Sequence, residues 1–504
     1  MKRLLVLILL AFSVALICTT SCIHKTKLLT ADSSNYPTAV AAILVNKCTS
    51  SGCHNQASYQ NAAVLLLDSW AHLFQGSATG AEIVAYSPLY SPLLYYVNTD
   101  STLGQVATFQ GHFSPALTHD EYMTLYNWVA AGAPDKNGNI PFAAPSPDNR
   151  QKIYLTLQGC DLLAVIDARS RLIMRYIKIG DAANQTPHDV TISSDGAYAY
   201  VSFYNGSIAQ KIDVHADTVL SYADLNATVG GGGAGAGGWS IITLSPMDTC
   251  FMISGWVAGV VVAVNTSAML VNEHLSADQI TIGHSTQFAN AHGIITNATF
   301  DTFYTTIQNG VEKFAFNSSG VLSYTKFIAA PGLPHQIEMS PDHSKYFVTC
   351  PFGGIDPNTN EVDVFDVHTD SLIKVIQVGN TPQEMDVSTS MPYLFVDCME
   401  DANNPQAGRH GSVYVINYNS LEIVNILYGD FYQPHDVAVD EQDGLVFIPS
   451  RDVNPNGPAP HHSSGCGAGT RPGWYSVYDL KTLQPDPKRY DAPADPYAIS
   501  ARFH

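Results

Sequence analysis

Pro187-His188-Asp189-Val190-Thr191-Ile192-Ser193-Ser194-Asp195-Gly196, followed by the alternating run Tyr198 to Phe203, decides the fold because it recurs. Aligned on its second residue and on a polar residue five places later, the unit begins again at Ser240, His292, His335, Gln383, His435 and Tyr497. The seven copies stand 43 to 62 residues apart. Each reads as an apolar strand, a turn such as Ser194-Asp195-Gly196 or Pro341-Asp342-His343, a second strand, a variable loop, and two further strands joined by a short polar turn. One unit is therefore a four-stranded antiparallel meander.

Such a sheet cannot bury both faces alone, and four strands per period of 40 to 50 residues is the signature of propeller blades. The seventh copy holds only a first strand, Pro496 to Phe503, before His504. Its other three strands are expected at the start of the repeat region, over Lys152 to Gln158, Leu162 to Arg169 and Leu172 to Asp181. Shared first and last strands would close a ring of seven blades and leave no long free edge. Over residues 151–504 the repeat resembles the YVTN-type β-propellers, through its Pro-His openings, its Ser-x-Asp-Gly turns and third strands such as Val165-Ile166-Asp167 and Val364-Phe365-Asp366.

At 504 residues the chain has room for two or three domains. Met1-Lys2-Arg3 and the apolar run Leu4 to Ile17 form the charged and hydrophobic regions of a secretory signal, too short to span a bilayer comfortably. Small residues flank Cys22, whereas Cys18 follows bulky Ile17. The leader resembles a bacterial lipoprotein signal, which implies residues 1–22 as signal peptide, a lipid on Cys22 and a polar tether over 23–36; plain signal cleavage is the competing reading. Loss of Lys2 and Arg3 from 24 basic residues leaves 22 against 44 acidic ones. That balance excludes nucleic acid and anionic membrane surfaces as partners, with membrane contact only through the anchor. A periplasmic or cell-surface location follows from the leader.

Cys48-Thr49-Ser50-Ser51-Gly52-Cys53-His54 is the most chemical motif. Two thiols able to add to haem vinyl groups, with His directly after the second, place that imidazole under the iron. Four residues separate the cysteines where two are usual, so two must bulge, and a Cys48–Cys53 disulfide is the competing reading. Downstream stand Leu65-Leu66-Leu67-Asp68-Ser69-Trp70, Gly76, Ser91-Pro92-Leu93-Leu94-Tyr95-Tyr96-Val97, Leu117-Thr118-His119-Asp120-Glu121 and Trp128-Val129-Ala130-Ala131-Gly132-Ala133-Pro134. In this order they resemble the small all-α cytochrome c domain at the front of many exported bacterial proteins, over residues 37–140. Thr118 and Glu121 form a capping box, and Tyr122, Leu125, Tyr126 and Val129 share a helical face ended by Gly132.

The resemblance implies haem c on Cys48 and Cys53 with His54 as one axial ligand. In that family the sixth ligand is commonly a Met before the Leu-Thr cap; here Gly111-His112-Phe113 stands there, which makes His112 the expected second ligand, with His72, His119 and Met123 as rivals. Two histidines would give a closed, low-potential haem suited to electron transfer. The proline-rich stretch 141–150 marks the boundary to the propeller. Of the remaining cysteines, Cys350 and Cys398 hold the same position in consecutive repeats and are expected as small buried hydrophobes.

Strand direction puts the repeat openings and the loops after the second strands on one rim. The openings supply His188, His292, His335 and His435; the long loops supply Arg409, His410, Arg451, His461, His462, Cys466 and Arg471. Three readings compete. The histidines cap strands; or several, among His188, His292, His335, His435, His461 and His462, converge on copper or another transition metal, an arrangement that resembles the histidine-lined propeller of nitrous oxide reductases; or the rim holds a second haem, as in the nitrite reductases that join a cytochrome c domain to an eight-bladed propeller. The chain therefore reads as an exported c-type cytochrome electron-transfer protein whose rim carries a metal or redox site, an oxidoreductase if that site turns over, serving a redox partner protein or a small-molecule substrate. The alternative is a non-enzymatic binding module for a protein or glycan, with the haem domain as sole redox centre.

Overall fold

Each copy of the repeat becomes one sheet. In a computed structural model the chain forms seven four-stranded antiparallel sheets, a seven-bladed β-propeller. The structure describes residues 33–103, 116–225, 238–276, 290–319, 321–351, 360–451, 473–493 and 495–503. Blades one to six span 187–224, 239–276, 294–329, 337–377, 382–427 and 438–492. Blade seven joins the last strand, Pro496–Ala501, to Lys152–Leu157, Leu162–Asp167 and Leu172–Lys178. Ile153 stands opposite Ala501 and Leu155 opposite Ile499. In blades three, four and six the first strand begins two or three residues after the histidine, at Ile294, Ile337 and Ala438, so those histidines precede the ladder.

Alternation along the strands sends one set of side chains into each neighbouring blade. Buried apolar clusters sit at all seven blade junctions; Tyr154, Leu163 and Val165 meet Val190, Ala199 and Val201 between blades seven and one. First strands such as Pro187–Ile192 are buried, whereas the fourth strands of blades one and five, Thr218–Asp224 and Glu422–Leu427, are mostly exposed and those of blades six and seven mostly buried. The repeated turn explains itself at Asp195, which accepts hydrogen bonds from Ser193 Oγ (2.7 Å) and the Ala197 amide (2.9 Å). Gly196 adopts φ +65°, and a Cβ there would collide with the Phe503 ring. Cys350 and Cys398 are fully buried free thiols, as expected of small apolar residues.

The N-terminal unit is helical and small. Helices Thr38–Ile43, Trp70–Leu73, Pro92–Tyr96 and His119–Ala130 enclose a cluster that includes Tyr36, Val40, Leu44, Leu65, Leu125 and Val129. Both bonds of the Thr118–Glu121 capping box are present, at 2.8 and 3.3 Å. Tyr122, Leu125, Trp128 and Val129 are buried, while Tyr126 is half-buried. The unit packs on the propeller flank: Ala81 and Val84 join the blade six–seven cluster, Thr79 O accepts from Asp491 N (2.9 Å), and Tyr90 meets Tyr176 edge-on. Phe142, in the linker, packs against two blade clusters, so 141–150 is tied to the propeller rather than free-standing.

Candidate functional site

Two places gather chemistry. The first begins where helix Thr38–Ile43 widens into a π-turn over Leu44–Cys48, which ends on the first cysteine of the motif. The extra residues fold back on themselves: Cys53 N donates to Ser50 O and His54 N to Cys48 O, both at 3.0 Å, with Gly52 at φ +84°. Asn55 Nδ2 donates to Ser50 O (2.6 Å) and pins the bulge. Cys48 and Cys53 are free thiols, so the disulfide reading is not realised. Burial, then the neighbouring Cys53, pushes the Cys48 thiol up to about 11, leaving little thiolate for oxidation.

His54 Nδ1 lies 3.1 Å from the carbonyl oxygen of Leu65. A carbonyl accepts only, so Nδ1 carries the proton and Nε2 the lone pair. An imidazole held by a backbone carbonyl behind it is the usual outer support of a metal-ligating histidine. Thiol pair, anchored imidazole and apolar shell together fit a covalently attached haem. Leu65 O and Asn55 were not singled out from sequence; a backbone acceptor leaves no mark in residue identity.

Among rivals for the sixth position, His119 opens its helix with a side chain 57% exposed. Asp68 holds His72 through Nδ1. Met123 packs against the apolar cluster. His112 and Cys22 lie outside the described residues, as do His461, His462, Cys466 and Arg471. Cys160 is disulfide-bonded.

The second place is the mouth of the propeller channel. Strand direction brings openings and second-strand ends together: His335 N donates to Thr349 O (2.8 Å) and His292 N to Thr306 O (3.2 Å). All four opening histidines are buried there. Ring centroids of His188 and His292 lie 5.2 Å apart, those of His292 and His335 3.7 Å, and His435 stacks on Tyr497 at 3.7 Å. Trp256 and Tyr204 back this wreath, and Tyr497 Oη is 3.4 Å from His188 Nε2. Arg451, from the sixth blade, forms a buried bidentate pair with Asp495 (2.6 and 2.8 Å) and lies over the Tyr497 ring. Arg409 pairs instead with Asp430, and His410 meets Tyr432 edge-on, apart from the wreath.

In blades one to four a hydroxyl fourteen positions after the opening residue holds the next opening residue, His292 and His335 among them. Thr306 Oγ1 accepts the Gly293 amide (2.8 Å) and donates to His335 O (2.5 Å). Ser202, Ser254 and Thr349 repeat both bonds, accepting from their own blade and donating to the next opening residue. In blade five Asp397 stands there and accepts from Glu384 N (2.8 Å). Thr306→Val should therefore remove two buried hydrogen bonds, leaving Gly293 N and His335 O only their 3.0 Å bond to each other, and cost about 1–3 kcal/mol, while Thr306→Ser stays near wild type; urea unfolding midpoints decide this.

A carboxyl missed from sequence, Glu384, completes the site beside Asp189 and Asp436, which follow two of the histidines directly. Glu384 follows Gln383 just as Asp189 follows His188 and Asp436 follows His435, so the repeat alignment held the signal. Asp189 Oδ2 accepts from Ile242 N (2.8 Å) and Asp436 Oδ2 from Ile499 N (2.7 Å), tying neighbouring blades. Burial pushes Asp189 up to about 6. Burial and then the Asp397 charge raise Glu384 well above the ordinary carboxyl range. At the corresponding position blade three has Gly293, whose amide meets His335 O at 3.0 Å; a Cβ there would strike Gln336. That close approach lets the His292 and His335 rings come to 3.7 Å at a tilt of 32°. His292, His335 and Glu384 form a buried group whose potential ligand atoms all lie within 4.8 Å of one another. His188 and His435 are outside that group.

Below the wreath the channel encloses about 260 Å³. Asp189, Glu338, Glu384, Asp386 and Asp436 line it, with no Lys or Arg among the lining residues.

No family model and no curated protein matches the chain. Among solved structures it is similar to the hydrazine synthase of Kuenenia stuttgartiensis (12% identity over 61% of this chain and 80% of that one, TM-score 0.45). It is similar also to the dihydro-heme d1 dehydrogenase NirN in complex with DHE (11%, 84% and 94%, 0.46) and to a functionally unknown protein from Desulfotomaculum acetoxidans DSM 771 (14%, 69% and 100%, 0.48). Nothing about chemistry follows from likeness at this level.

Proposed function

We propose that this chain is an exported c-type cytochrome electron-transfer protein, with haem on Cys48 and Cys53 and a metal or redox site at the propeller mouth. One observation carries the first part: His54 Nδ1 sits 3.1 Å from Leu65 O, directly after two free thiols of which Cys48 packs on the apolar cluster. The haem, when bound, supplies a one-electron couple. The remaining tasks fall to the chain. Leu65 O fixes the tautomer of His54 and raises the basicity of its Nε2, which favours the higher oxidation state of a bound iron. Leu44, Leu65 and Val129 belong to the buried apolar cluster on which Cys48 packs, which would keep water from that side. His112 is the proposed second axial ligand, and Cys22 the proposed lipid attachment point. A redox partner protein or a small molecule would exchange the electrons.

The test is maturation in a host that attaches haem to exported cytochromes, followed by denaturing extraction. Haem should remain with the polypeptide and give the haemochrome spectrum of two thioether bonds. Cys48→Ser/Cys53→Ser should release all of it. Retention of covalent haem by that double variant, or its absence from the wild type after maturation, would defeat the proposal.

A further inference from the structure

The mouth of the channel gathers donors from three successive blades. His292 comes from the opening of blade three, His335 from that of blade four, and Glu384 from the first strand of blade five. Their positions are built rather than accidental. Hydroxyls of Ser254 and Thr306 hold the carbonyls of His292 and His335, and Gly293 removes the side chain that would keep the two rings apart. Asp397 fixes the Glu384 amide, and Gln336 donates to Glu384 Oε2. Glu384 Oε1 has no hydrogen-bond partner although the residue is only 5% exposed. A carboxyl oxygen buried in that way is costly unless a proton or a cation meets it.

From this geometry we infer that His292, His335 and Glu384 bind one divalent first-row transition-metal ion. The inference names the ligands of the second site in the function proposed above, and it stands whether or not haem is attached at Cys48 and Cys53. Two imidazoles and a carboxylate suit zinc, iron, cobalt or copper, and three protein ligands leave coordination positions open toward a small molecule. Bonds of about 2.1 Å put tetrahedral donors about 3.4 Å apart. Small side-chain rotations from the observed spacing reach that. The surroundings favour a cation: besides Glu384, four carboxyl side chains and no Lys or Arg line the channel below. His188 and His435 wall the site from the Tyr497 side without entering the ligand group.

The bland alternative is a protonated Glu384 that only braces the two rings. Full-length matured protein, stripped with a chelator and titrated with Co(II), separates the two. The inference expects about one Co(II) per chain with visible d–d absorption, competed by Zn(II) and accompanied by a raised thermal midpoint. His292→Ala, His335→Ala and the isosteric Glu384→Gln should each lower occupancy to about a tenth at the same free metal. Their circular dichroism and metal-free midpoints, read in parallel, separate lost ligation from lost folding. His188→Gln/His435→Gln should keep one ion per chain. Wild-type occupancy near zero, or binding undiminished in all three ligand variants, would overturn the inference. Haem content measured on the same samples keeps the two proposals apart: metal without haem removes only the cytochrome reading, and haem without metal removes only this one.

Discussion

Asp495→Asn is expected to destabilise the protein by about 3–5 kcal/mol, because it leaves a fully buried guanidinium without its countercharge. Arg451 and Asp495 are both completely shielded from solvent, and their two hydrogen bonds form a planar fork. Asp495 has φ +59°, which Asn tolerates, so the substitution tests charge rather than backbone fit. The pair sits where the second strand of blade six ends and where the strand Pro496–Ala501 enters blade seven. Asp495 O also accepts from Gln158 N at 2.9 Å, so the same residue ties the last strand to the first. Damage should reach the channel mouth through Tyr497, whose ring lies under Arg451, stacks on His435 and reaches His188.

The companion variant Arg451→Met/Asp495→Asn should recover most of that loss, since breaking one partner of a buried pair costs far more than removing both charges. Urea unfolding of the wild type, the single variant and the double variant gives the coupling directly. A single variant within about 1 kcal/mol of wild type would mean that water or another anion reaches Arg451.

Pro187 to Phe203 made the blades legible because a propeller repeats one local solution seven times, and period-two alternation bounded by Ser-x-Asp-Gly turns is a local property. The capping box at Thr118 and Glu121 was legible for the same reason: its partners are three residues apart. The channel mouth was legible only in part. Alignment on the repeat put His188, His292, His335 and His435 on one rim, and they do meet there. Which of them come within ligand distance depends on the spacing between blades, set at one junction by Gly293 and its contact with Gln336. Glu384 escaped notice because Gln383 occupies the aligned position, although the acids after His188 and His435 were visible in the same register. At the haem motif, residue identities disclosed thiols and an imidazole, but the acceptor that orients His54 is a backbone oxygen from a segment eleven residues on.

Asp363→Asn is expected to stabilise the protein at pH 8 and to make no difference near pH 4. Asp363 is fully buried in the third strand of blade four, where desolvation, and then the charge of Glu361, push its carboxyl up to about 7. Its Oδ1 has no hydrogen-bond partner and Oδ2 meets the Cys350 thiol at 3.5 Å; that thiol and the Gly332 backbone offset the desolvation only in part. A carboxyl raised in the folded state binds its proton more tightly there than in the unfolded chain, where it titrates near 3.9. Between these values the folded state holds more protons, so stability falls as pH rises from about 4 through about 7 and is level above. The amide carries no charge to desolvate and loses that slope. Its advantage should therefore be roughly 1–3 kcal/mol at pH 8, vanishing as the wild-type carboxyl becomes protonated in both states. Because each comparison is made at one pH, titration of the buried histidines affects both proteins equally and cancels. Asp342 provides the opposite sign: hydrogen bonds from Ser340 and then Ser344 hold it down to about 2, so its contribution is present above pH 4 and lost as pH falls toward 2. Asp342→Asn should thus weaken the protein at pH 8, where Asp363→Asn strengthens it. Thermal midpoints across pH 4–8 that moved the same way in both variants would show that burial, and not the local balance of charge and hydrogen bonding, governs these carboxyls.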